Sequence, residues 1–271
     1  MKQVKNIAFE NECIIVDEKG VPVNYINNII TSKFLLDVLK KQWYKDEVNK
    51  KLIAWELDAC QLEIKNSWPQ DSIQKAQDEL ITLFQAVSTV VNEHWLYVSQ
   101  DVVPRQDYLP VHSWLEERYQ NIHIMLSELW EHIRKWTNIA GLHMHIQDDF
   151  QFSYHRKISA AYRKMFDEND FEGLMLSPQR HAMYTAVVDS LYEQGIVPTN
   201  YLPLTLEELS SMDWSIFDGQ WNIKFNYRYV QLKKPGNKYT TEIRTPDAAV
   251  NIDQLIEYTN RLYDKVNTII Q

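Results

Sequence analysis

Acidic and histidine side chains recur at alternate positions of segments whose sequences are typical of β-strands. One segment carries Glu10 and Glu12, and another carries His143 and His145. Residues two apart on a strand share a face of the sheet, because successive side chains point to opposite sides. Further polar residues of this kind occupy the segments 55–63 and 239–247: Glu56, Asp58, Glu63, Glu242 and Arg244. Together these segments predict one charged face of a sheet.

Each motif has an ordinary explanation when it is taken alone. A Glu-x-Glu pair usually marks a solvated strand face, His-x-His is a common coincidence, and Glu-x-Arg is most often a surface ion pair. Coincidence is a weaker explanation when all of the segments carry polar residues in otherwise apolar settings. Carboxylates with one or two imidazoles favour Mg²⁺ or Mn²⁺. The sequence therefore predicts a carboxylate-rich metal site on this face.

Cationic side chains on polar strand faces could neutralise phosphate charge beside these ions. They are Lys224, Arg228 and Arg244, and each is also explained as an ordinary exposed cation. Two or three divalent ions with several carboxylates suit the binding of a nucleoside triphosphate. The sequence has no glycine-rich phosphate loop and no dinucleotide fingerprint. Phosphates would therefore be held by metal ions and side chains.

Composition narrows the class of protein. The 271 residues are 45% hydrophobic and carry a net charge of −9, which disfavours nucleic acid as a partner. No apolar run reaches the roughly 20 residues that a membrane span needs, so no membrane partner is expected. The N-terminus lacks the apolar region of a secretory signal. Cys13 and Cys60 are interpreted as free buried thiols, and we expect a cytoplasmic protein.

Strands and long helices must position the polar residues. Alternating apolar and polar residues predict strands, and an apolar period near 3.6 predicts helices. The predicted strands are 6–16, 53–65 with a bulge, 141–147, and a hairpin of 220–232 with 238–245. The predicted helices are one capped by Asp71, 114–139, 155–167, 180–194, one opened by a capping box at Thr205–Glu208, and 251–269.

The order of these elements predicts an α+β fold. A mainly antiparallel sheet would be covered by helices on one face, and its other face would form the active site. No repeat or linker-like tract divides the chain, so we expect residues 1–271 to form a single catalytic domain. The aromatic stripe at 221–229 is explained better by core packing than by base stacking.

Taken together, the segments resemble the glutamate–cysteine ligase type 2 family of carboxylate–amine ligases, which is related in fold to glutamine synthetase. The matching motifs, in the family's order, are Glu10-x-Glu12, Glu56 to Glu63, Gly141-x-His143-x-His145, Trp221-x-Ile223-Lys224, and Glu242-x-Arg244-x-x-Asp247. The resemblance covers nearly the whole chain. It implies a fold like the catalytic domain of glutamine synthetase.

The resemblance also implies a reaction, its cofactors and residue roles. ATP would phosphorylate a substrate carboxylate, and an amine would attack the acyl phosphate to form a γ-glutamyl-type amide. Arg244 would stabilise the transferring phosphoryl group, and His145 would orient a phosphate, bind metal or line the substrate pocket. The implied ligands of Mg²⁺ or Mn²⁺ are Glu10, Glu12, Glu56, Glu63, His143 and Glu242.

Several alternatives stay open at this stage. One is a relative that binds a nucleotide without turnover. Another is a mononuclear iron enzyme, in which His143, His145 and one carboxylate hold the metal. Within the ligase interpretation, glutamate is the expected acid because it is the commonest donor in the family, whereas the sequence does not identify the amine. An exposed sheet edge could also pair two subunits into a homo-oligomer.

Overall fold

A computed structural model describes residues 4–56, 59–99, 140–149, 152–193, 202–211, 228–233 and 239–271. The strands are β1 (Ile7–Val16), β2 (Tyr25–Ile26), β3 (Ile29–Ile30), β4 (Ile53–Trp55), β5 (Gln61–Lys65), β6 (Tyr97–Ser99), β7 (Leu142–Gln147), β8 (Val230–Lys233) and β9 (Thr240–Ile243). The helices are α1 (Thr31–Gln42), α2 (Lys45–Asn49), α3 (Ile73–Glu93), α4 (Ser153–Asp167), α5 (Phe171–Leu174), α6 (Pro178–Glu193), α7 (Leu206–Ser211) and α8 (Ile252–Ile270).

The described strands form one large antiparallel sheet with the order β4-β5-β1-β7-β9-β8, and β2 and β3 form a separate hairpin. The strand β1 lies at the centre and is the longest, with 10 residues. Its first half pairs with β7, its middle with β5 and its end with β6. This sheet confirms the predicted α+β class, and it makes β1 the reference for the register of its neighbours.

Long helices cover one face of the sheet. In the order α1, α3, α8 and α4, neighbouring helices contact each other, and the row lies over the strands from β4 to β8. The sheet face below it carries the odd-numbered residues of β1, among them Ile7, Phe9 and Cys13, which are all fully buried. Cys13 and Cys60 are free and buried, as predicted. The opposite face is thereby left for the even-numbered residues of β1.

A buried polar side chain fastens this helical layer to the sheet. Asn11 is fully buried on the helix side of β1. Its amide nitrogen donates to the carbonyl of Ala249 at 3.0 Å, and its amide oxygen accepts from the nitrogen of Ala249 at 2.8 Å. Ala249 lies just before α8, which begins after its N-cap residue Asn251. The two bonds therefore set where the last helix begins on the sheet.

A second buried polar group lies at the start of α4. The carboxylate of Asp148 accepts from the backbone nitrogens of Tyr154 and His155 and from the hydroxyl of Thr241. Burial, with the charges of Arg228 and Arg156, lowers the pKa of His155 to about 3. The imidazole is therefore neutral in the folded protein at neutral pH.

The predicted elements differ from the structure in several places. The stretch 53–65 is a hairpin of β4 and β5, because the chain turns between Glu56 and Gln61. The helix α3 is capped by Ser72, whose side chain accepts from the nitrogen of Lys75, and Asp71 forms an ion pair with Lys75 instead. The capping box of α7 is confirmed by reciprocal bonds between Thr205 and Glu208.

Other predicted elements fall partly or wholly outside the described residues. They are the helix 114–139 and the first part of the strand 220–232. The helix α1 was not predicted, because it begins after Ile30 without a side-chain cap. Among the residues that the structure describes, no helix is both long and apolar enough to cross a bilayer.

Replacing Asn11 with Ala should lower the free energy of unfolding by about 2–4 kcal/mol, because both backbone groups of Ala249 lose their buried partner. Chemical denaturation measures the change. The exposed Asn49 at the end of α2 provides the control, and Asn49→Ala should stay within about 0.5 kcal/mol of the parent protein. Equal stability of the Asn11→Ala protein would show that these bonds do not hold α8 in place.

The low pKa of His155 predicts a specific acid sensitivity. Unfolded histidine has an ordinary pKa of 6.5, so between pH 6.5 and about 3 only the unfolded state takes up this proton. Stability is complete above that range and falls as the pH decreases, by about 1.4 kcal/mol per pH unit from this group. Unfolding titrations of the parent protein and of His155→Gln should therefore diverge below pH 6.5. Parallel pH profiles would contradict the assignment.

Candidate metal centre

The pairing register brings the predicted polar residues onto the sheet face opposite the helices. Glu10 lies directly across from His143, and Glu12 lies across from Glu63. His145 faces Glu242 in the next pair of strands. Residues directly opposite each other on antiparallel strands share a face, and their Cβ atoms are about 5 Å apart. Four strands thus deliver their charged side chains to one place.

Three of these side chains form the centre of the group. Glu10, His145 and Glu242 each offer a ligand atom, and the three atoms lie within 4.8 Å of one another. His145 Nε2 is 3.3 Å from Glu10 Oε2 and 3.9 Å from Glu242 Oε1. Glu242 is fully buried, although it is a carboxylate. The structure therefore brings these three predicted residues together, and their role as metal ligands stays a prediction.

His143 lies between three of the glutamates. Its Nδ1 is 3.5 Å from Glu10 Oε2 and 3.6 Å from Glu242 Oε1, and its Nε2 is 3.8 Å from Glu12 Oε1. The ring is almost completely buried. Burial and the charge of Arg244 lower the pKa of His143 to about 4. The imidazole is therefore neutral at neutral pH, and neutral imidazole is the form that binds metals.

The electrostatics of the site combine dense negative charge with two arginines, the partly buried Arg244 and the buried Arg180. Burial and the charges of Glu63 and Glu10 raise the pKa of Glu12 to about 7, against the opposing effect of the arginines. Burial alone would lower the pKa of Arg244, but the carboxylates of Glu242, Glu12 and Glu10 outweigh it and raise that pKa. Arg244 Nη1 is 3.9 Å from Glu242 Oε1. The arginine compensates only part of the charge.

The donor set fits a divalent cation. Ligands at about 2.1 Å from an octahedral ion lie about 3.0 Å from adjacent ligands and about 4.2 Å from opposite ones. The separations of His145 Nε2 from the carboxylate oxygens of Glu10 and Glu242, 3.3 and 3.9 Å, fall in this range. Within the described part of the chain, His145 Nε2 is buried and makes no hydrogen bond. Two carboxylates and one imidazole suit Mn²⁺ or Mg²⁺.

The predicted ligands Glu63 and Glu56 occupy the edge of the group. Glu63 accepts from Lys65 Nζ at 2.5 Å, so a cation already compensates its charge. Burial lowers the pKa of Lys65, but Glu63, Glu10 and Glu56 outweigh this effect and the pKa is raised. The backbone nitrogen of Glu56 bonds Gln61 across the β4–β5 turn, which places Glu56 on the same face. Neither belongs to the three-residue centre.

Of the remaining predicted residues, Arg228 is described by the structure and lies away from this centre. Arg228 donates to the carbonyl of Leu202, and it influences the pKa of His155 on the helix side of the sheet. Burial lowers the pKa of Arg228 to about 10. Lys224 and Asp58 lie outside the described residues. A cofactor-binding role of Arg228 and Lys224 stays a prediction.

Sequence reasoning missed three polar neighbours of the centre. Gln231 Nε2 donates to Glu242 Oε2 at 2.5 Å, which holds that carboxylate from β8. Lys65 follows Glu63 at the alternate position of β5, so both point to the same face. Gln231 could have been found from the pairing of β8 with β9, because that register sets Gln231 opposite Glu242. Arg180 is a third buried neighbour, and its contacts are described below.

The fold is similar to part of a known ligase. A bifunctional glutathione synthetase from Pasteurella multocida matches with a TM-score of 0.58 and 12% sequence identity over 97% of this chain. The match covers 39% of that protein, so this chain spans about two fifths of its length. At this identity the similarity establishes the fold alone.

Two further solved structures are less similar. A novel glutamine synthase homolog matches at a TM-score of 0.41 and 12% identity, over 97% of this chain and 54% of its own. A glutamate–cysteine ligase from Francisella tularensis in complex with AMP matches at 0.39 and 16%, over 61% and 34%. Neither of these two similarities establishes the fold or the function of this chain. No protein-family model and no curated protein matches the sequence.

The three-residue centre predicts binding of Mn²⁺ without any nucleotide. Glu242→Gln keeps the shape of the side chain but removes a buried charged ligand, and it should weaken Mn²⁺ binding by about 100-fold or more. Titration followed by electron paramagnetic resonance measures free Mn²⁺ directly. The matched control is Glu257→Gln on the exposed side of α8, which should bind like the parent protein. Equal Mn²⁺ affinity of the Glu242→Gln protein would exclude this centre.

Proposed function

We propose that this chain contains the catalytic site of an ATP-dependent carboxylate–amine ligase. The observation that carries the proposal is the convergence of Glu10, His145 and Glu242 on one buried sheet face, with Arg244 beside them. Such a face offers hard oxygen ligands for divalent ions and one fixed cation for phosphate. The fold similarity to a glutathione synthetase supports it at the level of architecture.

The proposed reaction makes an amide through an acyl phosphate. A carboxylate oxygen of the acid attacks the γ-phosphorus of ATP, and ADP leaves. The amine then attacks the acyl carbon, phosphate leaves with the bonding electrons, and the amine loses a proton. Bound divalent ions would neutralise the phosphate oxygens during transfer. No oxidant or other co-reactant is needed.

The chain's own residues have distinct roles in this proposal. Arg244 contacts the transferring phosphoryl group, whose charge spreads over its outer oxygens. Glu10, His145 and Glu242 hold the metal, and Glu12 and His143 extend the ligand set. Gln231 fixes the rotamer of Glu242 through its hydrogen bond. The proposed metal ligands and Gln231 stand on strands rather than loops, so they are preorganised for a charged ligand.

The resemblance to the glutamate–cysteine ligase type 2 family suggests the substrates. Under that resemblance glutamate is the proposed acid, its side-chain carboxylate is activated, and a small amine is the acceptor. We also propose that residues 1–271 act as one catalytic domain.

A mononuclear iron centre is the second candidate, and one observation favours it. The two imidazoles, through His143 Nδ1 and His145 Nε2, both lie within 3.9 Å of Glu242 Oε1, the composition of a two-histidine, one-carboxylate site. The additional carboxylates of Glu10 and Glu12 favour the harder ions of the ligase. Metal analysis and optical spectra after anaerobic Fe(II) loading distinguish the two candidates.

The ligase proposal predicts ADP and phosphate release that depends on both substrates. The protein is incubated with Mg·ATP and pools of carboxylic acids, with and without pools of amines, and both products are quantified. Release should require an acid and an amine together and should vanish in Glu242→Gln, because turnover needs the metal. The exposed variant Glu257→Gln should turn over like the parent protein.

The outcomes separate the alternatives. Release that depends on both pools, followed by fractionation of the active pools, identifies the acid and the amine. ATP binding without release from any pool would contradict turnover and support a nucleotide-binding relative. Absence of both ATP binding and Mg²⁺ or Mn²⁺ binding would contradict the ligase altogether, and the Fe(II) measurement then tests the second candidate.

A further inference from the structure

Hydrogen bonds tie Ser177, the residue just before α6, to Asp247 in the segment that follows β9. Asp247 accepts from the backbone nitrogen of Ser177 at 3.0 Å and from its hydroxyl at 3.3 Å. Ser177 in turn accepts from the nitrogen of Arg180 through its hydroxyl at 3.2 Å. The nitrogen of Asp247 bonds the carbonyl of Met175. These bonds fix the position from which the side chain of Arg180 starts.

The guanidinium of Arg180 binds the backbone that follows Arg244. Its Nη1 donates to the carbonyls of Thr245 at 2.5 Å and Pro246 at 2.8 Å, and its Nη2 donates to the carbonyl of Arg244 at 3.0 Å. Only 4% of Arg180 is exposed, so water does not compete for these bonds. A planar fork of donors suits consecutive carbonyls better than a single ammonium does.

Gly141 leaves the space in which this guanidinium lies. A Cβ atom at position 141 would be 2.2 Å from Arg180 Nη2, far inside contact distance, and 3.3 Å from His143 Nε2. Gly141 also exchanges two bonds with Glu12: its carbonyl accepts from the Glu12 nitrogen, and its nitrogen donates to Glu12 Oε2, both at 3.0 Å. The guanidinium of Arg180 therefore lies beside the start of β7, next to the bonds between Gly141 and Glu12 of β1.

We propose that Arg180 is a positioning residue for Arg244. Position 141 is a glycine because a side chain there would displace the guanidinium of Arg180. The inference rests on the proposed function, since Arg244 is positioned there to contact the phosphates of ATP. Arg180 does not reach the reacting atoms itself. It fixes the backbone from residue 244 to 246, so the guanidinium of Arg244 stays oriented toward the carboxylate face. Neither Arg180 nor Arg244 is a ligand of the metal in this proposal.

The test compares nucleotide binding with metal binding in the same variants. Arg180→Gln should weaken Mg·ATP binding by about tenfold or more, since bonds made by a charged donor are strong. Mn²⁺ affinity without nucleotide should stay within about twofold, because the guanidinium of Arg180 donates to the backbone carbonyls of residues 244–246. Calorimetry measures the first and electron paramagnetic resonance the second. The matched control is Arg261→Gln on the exposed side of α8, which should change neither.

A double-mutant cycle tests the role of Gly141 independently of any ligand. Gly141→Ala alone should lower the melting temperature, because the new methyl displaces the guanidinium from its carbonyls. In an Arg180→Ala background the guanidinium is absent, the methyl meets His143 Nε2 at 3.3 Å, and the melting temperature should fall much less. Additive effects would overturn the packing of Arg180 against Gly141. If Arg180→Gln does not fold, Arg180→Lys, which keeps the charge but lacks the fork, takes its place in the binding test.

The outcomes keep this inference separate from the proposed function. Unchanged Mg·ATP affinity in Arg180→Gln would overturn the positioning role and leave the ligase proposal standing. Equal loss of Mg·ATP and Mn²⁺ binding would also overturn it, since Arg180 would then support the whole site and not Arg244. A parent protein that binds Mn²⁺ but no Mg·ATP would overturn the proposed function. The positioning role would then also be overturned, because Arg244 would have no nucleotide phosphate to contact.

Discussion

The structure depends on one electrostatic constraint, which is the gathering of glutamates and histidines on a largely buried sheet face. Buried carboxylates are costly unless cations or hydrogen bonds compensate them. Gln231 bonds Glu242 and Lys65 bonds Glu63, and the charges of Arg244 and Arg180 offset part of the charge around Glu12. Compensation by a divalent ion is the simplest explanation for keeping this arrangement.

The fold makes that arrangement possible by separating the two faces of the sheet. The helices α1, α3, α8 and α4 bury the odd-numbered residues of β1, so the even-numbered residues can carry charge without entering the hydrophobic core. A shift of one residue in the pairing would move every side chain to the other face. The buried bonds between Asn11 and Ala249 resist such a shift from the helix side. The core and the site therefore specify the same register.

Much of this could be predicted from the sequence because strands report their faces through alternation. Glu10, Glu12, His143, His145 and Glu242 share strands with largely apolar residues at the intervening positions, Asn11 and Thr241 excepted, so the alternation indicates a common face. The cation partners were harder to find. Lys65 resembles an ordinary lysine at the end of a strand. Arg180 lies on a helix that is distant in sequence, and only tertiary packing brings it to the carbonyls of residues 244–246.

Two predicted ligands, Glu56 and Glu63, show where alternation stops being informative. The stretch that carries them turns back on itself, so the two glutamates lie on different strands of a hairpin. Glu63 lies on the charged face of the sheet, but its nearest charged partner is Lys65 rather than a residue of the three-residue centre. Sequence periodicity identifies the face of a residue, whereas its distance from the centre depends on strand order.

Anomalous diffraction from crystals grown with Mn²⁺ tests the central claim most directly, because it locates the ion without assuming a reaction. We predict a manganese peak bounded by Glu10, His145 and Glu242. Full occupancy of Mn²⁺ at another place, or a cluster of these side chains that remains metal-free at saturating Mn²⁺, would contradict the metal centre and the ligase mechanism built on it.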